Sequence, residues 1–222
     1  MKRKISAATI ALTAILTAFE LVFVFAPIPP IAGASLAFCL IPVFIAATTG
    51  KKGMTAFLSV LMALGMLTAA YTVRAASLTA PVFQNPLVAV PPRLMVGVTA
   101  FASYNGLMSV AEKKFDPLLA GCEKGSEEYK KLSRKKGAAT YGIAAFTAFI
   151  GTVTNTGLVC LMIWLCYMVG DMYIASDILP QFFQVTLAVN ASIEVAAFTI
   201  LLPPVVMALS RAGYCRGGKK KR

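Results

Sequence analysis

In a chain that is 58% apolar, every charged or amide side chain away from the basic clusters needs a reason. Two arginines and four acids are in question: Arg74, Arg93, Glu20, Asp171, Asp177 and Glu194. A charge at the centre of a membrane helix costs about 2.5–3.5 kcal/mol on insertion scales, so such groups persist when paired, hydrated or functional. Arg93 carries a planar donor fork that grips a carboxylate at two points. Thr152 and Asn155 in one apolar segment, and Asn190 and Glu194 in another, suit the hydroxyls and amides of a small molecule. Glu20 and Asn85 complete the polar set. The chemistry expected is recognition without bond-making. The chain has no histidine, which excludes histidine triads, imidazole metal sites and histidine proton relays. No paired-carboxylate motif or metal-ligand cluster is visible, and no cofactor or metal is expected. The five cysteines contain no C-x-x-C pair and read as free thiols, with no disulfide framework. No G-x-x-x-x-G-K-[ST] occurs, so the chain has no P-loop of its own.

The elements that position these residues are hydrophobic. Charged residues make up 14% of the chain, against roughly 25% in a soluble domain. Mean hydropathy is +0.76. An ordinary soluble globule, a disordered tail and a solvated coiled coil are excluded. Six apolar segments are expected, at about 5–26, 34–49, 54–71, 87–110, 138–167 and 185–210. The fold class is an all-α membrane protein, a single transmembrane domain with an inner loop at 111–137 and a basic tail at 211–222. The second segment is short for a span and the fifth long. With six spans, 19 of the 21 basic residues fall on one side, and the positive-inside rule makes that side cytoplasmic, both termini included. The basic clusters therefore read as topology and lipid-headgroup contact, and nucleic acid is not an expected partner because no aromatic residues interleave the tail. Residues 1–26 read as a retained span, since their apolar run exceeds a signal-peptide core.

Helical rise places the polar residues at similar depth. Glu20 and Asn155 each lie ~24 Å from the inner edge; Arg93 lies ~9 Å and Glu194 ~14 Å from the outer one. Asn190 and Glu194 share a face, as do Arg93, Gly97, Ala100 and Tyr104. Two readings stay open: an Arg93–Glu194 ion pair that glues helices, and a pocket open outward. The apolar, proline-stiffened outer loops at 26–33 and 74–86 are expected either as gates over a small ligand or as quiet turns. In the first segment Ala7, Ala11, Ala14 and Ala18 form one face, which would admit a close helix partner or pack within the chain. Thr9, Thr13, Thr17 and Glu20 lie roughly opposite.

These residues carry a family resemblance. Residues 85–97, NPLVAVPPRLMVG, look like the P-R-I-L-I-G opening of span four in the substrate-binding (S) components of energy-coupling factor (ECF) vitamin transporters. Residues 151–159, GTVTNTGLV, resemble their G-S-L-T-N-T-x-L-V, and residues 190–206 their N-G-x-x-E-A-I and L-T-P-A-I motifs. The alanine stripe is similar to their A-x-x-x-A signature. Where relatives often carry L-H-I-P, this chain has Cys39-Leu40-Ile41-Pro42. The resemblance implies a six-helix subunit that binds one vitamin on the outer side and lacks ATPase activity. It implies docking through Ala7, Ala11, Ala14 and Ala18 onto a coupling membrane subunit carried by two ATPases. Arg93, Asn155, Asn190 and Glu194 become pocket residues, with Thr152, Glu20 and Asn85 beside them. A guanidinium, hydroxyl and amide set fits pantothenate, whose branch the chain resembles, better than a flat ring; folate would want stacking on Trp164, Tyr167 or Phe83. The alternatives are a self-sufficient secondary transporter and a membrane-embedded enzyme using Glu194 or Asp171 as acid or base.

Overall fold

The computed structural model describes residues 7–26, 37–76, 80–170 and 191–216. Among these, all regular structure is helical: α1 (Ala7–Phe25), α2 (Leu40–Thr48), α3 (Lys52–Tyr71), α4 (Ala80–Gln84), α5 (Pro86–Gly121), α6 (Glu127–Val169) and α7 (Ser192–Arg211). Five of them, α1, α3, α5, α6 and α7, are long and apolar enough to cross a membrane. Large apolar side chains such as Phe57, Val98, Phe146 and Ile200 lie exposed on their outer faces, as expected of surfaces solvated by lipid.

The helix within the second apolar segment is shorter than the sequence leads one to expect. α2 has nine residues, a rise of about 14 Å, under half of a hydrocarbon core. Residues 34–36 of that segment, and 185–190 of the sixth, lie outside the described residues. Eight of the nine α2 residues are buried, and α2 touches all five long helices. A helix that is apolar all round belongs at a bundle's centre, and α2 is the axis on which the others are arranged. Phe44 and Phe38 pack edge-on against Phe198 of α7 at centroid distances of 6.2 and 6.1 Å.

The segment 111–137, expected as a loop, is mostly helix. α5 continues to Gly121 and α6 begins at Glu127, so the two form a long antiparallel hairpin. Their 36 and 43 residues rise about 54 and 64 Å, well beyond a hydrocarbon core of ~30 Å. Local chemistry sets the boundaries. The Asn85 side chain accepts from Leu87 N at 2.9 Å and Pro86 opens α5 where no N–H is needed. Ser126 caps α6 by accepting from Tyr129 N, with Glu127 and Glu128 in the first turn, and Gly170 ends it at φ +79°.

Small residues decide how closely the helices approach. A Cβ on Gly97 of α5 would sit 1.8 Å from Ser59 Oγ and 2.9 Å from Ser59 Cβ of α3. One on Gly151 of α6 would meet the Phe44 ring at 2.4 Å. The bundle has two polar ends. One holds the start of α1, the end of α2 and the α5–α6 turn, and is called the basic end below. The other, the far end, holds Phe25, Arg74, Asn85 and Ser192.

Candidate functional site

At the far end, four chain segments bring charged groups towards the start of α2. Cys39, buried there, lies within electrostatic range of Glu20 of α1, Arg74 beyond α3, Arg93 of α5 and Glu194 of α7. Glu20, Arg93 and Glu194 are buried. Thr152 and Asn155 of α6 are buried too, one and four residues beyond Gly151, which meets Phe44.

Each cation is held by a carbonyl that helical geometry leaves unpaired. Pro92 has no N–H, so the Val88 carbonyl four residues earlier lacks its helical partner. The Arg93 Nη1 donates to that carbonyl at 2.8 Å, and its guanidinium lies 5.2 Å from the centroid of the Phe83 ring on α4. Arg74 Nη2 donates at 3.1 Å to Val24 O, one of the last carbonyls of α1. Glu194 is likewise tied to backbone: its Oε1 accepts from Ala37 N at 2.8 Å, joining α7 to the approach to α2. The Arg93–Glu194 ion pair that the sequence invites is not formed. The two interact electrostatically, but no contact within 4.0 Å links them. Neither Glu20 oxygen has a hydrogen-bond partner among the described residues, nor does Asn155 Oδ1.

Of the remaining polar residues singled out in the sequence, Thr152 donates to Ala148 O within its own helix at 2.8 Å. Asn85 uses its carbonyl oxygen as the α5 cap. Asn190, Asp171 and Asp177 lie outside the described residues. The 74–86 connection is described apart from 77–79: Gln84 donates to Ala70 O, Tyr71 donates to Gln84 O, and Val82 packs with Val88, Val159, Ile163 and Cys166. Residues 27–33 of the other connection lie outside the described residues. None of the five cysteines is joined in a disulfide among the described residues.

On α1, the residues that face inward are Leu16, Glu20 and Val24, whereas Ala7, Ala11, Ala14 and Ala18 are all exposed. Among the described residues, no other span covers these alanines. α1 is also the least enclosed of the five long helices.

A second polar cluster, at the basic end, was not anticipated. The sequence presents 211–222 as one basic tail, yet residues 214–216 fold back onto the bundle. Arg216 Nη2 donates to Ser109 Oγ at 2.9 Å and Glu112 Oε2 at 3.1 Å, and Nη1 donates to Asn105 O at 3.3 Å. Arg216 N donates to Thr48 O, the Tyr104 hydroxyl to Arg216 O, and Asn105 Nδ2 to Ala47 O. Cys215 Sγ lies 3.2 Å from Thr48 Oγ1, and burial pushes the thiol up from its ordinary pKa against the opposing effect of that contact. The signal available was Tyr214-Cys215, an apolar pair within an otherwise basic stretch.

Among curated proteins, none matches the sequence. The family described as "ECF transporter, substrate-specific component" matches residues 8–206, from the first turn of α1 to within the last turns of α7. That match takes in the far-end cluster together with Ala11, Ala14 and Ala18. Members of this family bind a substrate for transport and are not enzymes. With its apolar helices and this match over nearly its whole length, the chain is a multi-pass protein of the cell membrane and belongs to the family of ECF transporter substrate-specific components.

Proposed function

We propose that the chain captures a small vitamin at the far end of the bundle and delivers it inward with energy from partner subunits. The observation that carries this reading is the convergence of Glu20, Arg93 and Glu194 on the enclosed start of α2, with buried acceptors left unpartnered. In this reading the chain crosses the membrane six times with both termini cytoplasmic. The basic end then faces the cytoplasm, as the positive-inside rule requires of Lys51, Lys52 and the α5–α6 hairpin. Arg93, Asn155, Asn190 and Glu194 form the binding face, with Glu20, Thr152 and Asn85 beside them. Pantothenate is the favoured ligand. Its carboxylate suits the Arg93 donors not used by Val88, and its hydroxyls and amide suit carboxylate and amide groups.

The alanine face of α1 is the docking surface for a coupling membrane subunit that carries two ATPases. Support comes from its exposure and from small side chains that allow close helix approach. The deciding experiment is mass spectrometry of small molecules that co-purify with the full chain in detergent, followed by uptake assays in liposomes. A retained vitamin, with concentrative uptake only when the coupling subunit and ATPases are added, is the expected result. Concentrative uptake by the chain alone would replace this reading with a self-sufficient secondary transporter. Ala11→Trp is expected to leave vitamin binding intact and abolish co-purification with the coupling subunit.

A further inference from the structure

α1 is held unequally along its length. Its buried residues, Leu16, Glu20 and Val24, all lie in the half nearer the far end. There a Cβ on Gly65 of α3 would come within 3.0 Å of Val24 Cγ1, and Arg74 donates to Val24 O at 3.1 Å. The half nearer the basic end, residues 7–15, has no buried residue, and Thr9, Leu12 and Thr13 are half-buried. Ala7, Ala11 and Ala14 lie on this less enclosed half. Lys51, in the turn between α2 and α3, reaches it and donates through Nζ to Thr9 Oγ1. Hydrogen bonds from an ionised donor are roughly twice as strong as neutral ones. Thr9 is two residues, or about 200°, round the helix from both Ala7 and Ala11. The lysine therefore grips α1 from behind and leaves the alanines clear.

The turn that carries Lys51 is itself held by the C-terminal segment. Arg216 N donates to Thr48 O at 3.0 Å, and Lys51 N donates to Thr49 Oγ1 at 3.3 Å. Between them Gly50 takes φ +72°, and a Cβ there would lie 3.5 Å from Arg216 Cβ, so glycine lets the turn run past the arginine. The Arg216 guanidinium is fixed in turn to α5, through Ser109, Glu112 and the Asn105 carbonyl. The contacts thus run from α5 through Arg216 and residues 48–50 to Lys51, and from Lys51 to the least enclosed of the long helices. Resting on the proposed docking of α1 onto a coupling membrane subunit, we infer that Arg216 and Lys51 are positioning residues for that docking. The C-terminal segment sets the tilt of the less enclosed half of α1, and with it the direction in which the alanine face points. A partner helix then meets a face already oriented, and less freedom is lost on association. Neither residue belongs to the far-end cluster, so vitamin binding is not part of this role.

The test uses the full chain in lipid nanodiscs, with spin labels carried on unnatural residues in place of Ala8 and Gly142. Ala8 is exposed on α1, and a Cβ at Gly142 of α6 meets nothing within 4 Å. Double electron–electron resonance reads the distance between the labels. The otherwise wild-type chain is expected to give one narrow distribution. Arg216→Ala and Lys51→Met are each expected to broaden it, the two together no more than either alone, and Lys51→Arg to keep it narrow. A broad wild-type distribution, or one that either Arg216→Ala or Lys51→Met leaves narrow, overturns the inference. So does a double variant broader than both single ones, because residues acting through one chain of contacts are not additive. Should Arg216→Ala fail to assemble, Glu112→Ala replaces it under the same criteria. Co-purification with the coupling subunit is expected to weaken about three- to tenfold in both variants, with vitamin affinity unchanged. If Ala11→Trp abolishes co-purification while Arg216→Ala leaves it at the wild-type level, the alanines dock unaided and the inference falls. If Ala11→Trp leaves co-purification intact, the docking reading fails instead, and the label distances alone decide whether Arg216 sets the tilt of α1.

Discussion

At the basic end, Arg216 reaches Ser109, Glu112 and the Asn105 carbonyl within 3.3 Å, whereas at the far end neither Glu20 oxygen has a hydrogen-bond partner among the described residues. Both ends draw on Arg, Glu, Asn and hydroxyl side chains. At the basic end the groups are spent on one another and on the carbonyls of α2 and α5, so the C-terminal segment closes the bundle there. At the far end the cations and Glu194 are spent on backbone, and a fully enclosed acid and an amide oxygen are held in reserve. Unpaired buried polar groups cost stability: the basic end leaves one amide oxygen, Asn105 Oδ1, without a partner among the described residues, whereas the far end leaves both oxygens of a fully buried acid.

Four substitutions sharpen this contrast. The largest effect is expected from Gly97→Leu, which attacks the frame both ends share. Its side chain would start inside the Ser59 side chain, so loss of monodisperse protein on size-exclusion chromatography is the expected outcome. Arg216→Ala should lower stability by about 1–3 kcal/mol through the stranding of Glu112 and the Asn105 carbonyl. Read as a reduced melting temperature in detergent, this should leave vitamin affinity unchanged; a matching loss of affinity would show that the two ends are coupled. Asn85→Ala removes the α5 cap and should cost about 1 kcal/mol, with little change in binding if the residue serves the helix, and a large one if it also touches ligand. Lys136→Ala, which breaks the Lys136–Asp116 contact on the exposed hairpin, should shift stability by about 0.2–1 kcal/mol, and less as salt is raised.

Much of the scaffold is legible in the sequence because apolar runs and helical periodicity are local signals. The stripe Arg93, Gly97, Ala100, Tyr104 is buried along its length, and the two faces of α1 separate as their spacing implies. What is not legible depends on partners distant in sequence or on backbone. α2 looks like a short span because hydropathy does not distinguish lipid from protein as the surrounding medium. The α5–α6 hairpin hides in a charge-rich stretch that resembles a loop, although Lys, Glu, Leu and Ala are good helix formers. Arg216 acts across more than 100 residues, so its basic neighbours mask it. Charge alone offers Arg93 the acid Glu194, but the sequence does not show that the carbonyl left open by Pro92 takes the guanidinium.

Pro92 and Arg93 act as a single structural unit, since the imino acid leaves the socket open and the guanidinium fills it. Restoring an ordinary amide at 92 would let the backbone reclaim the Val88 oxygen and set the Arg93 guanidinium loose. In the proposed pocket, a change of ligand preference would then start from the backbone at 92 rather than from the side chain at 93.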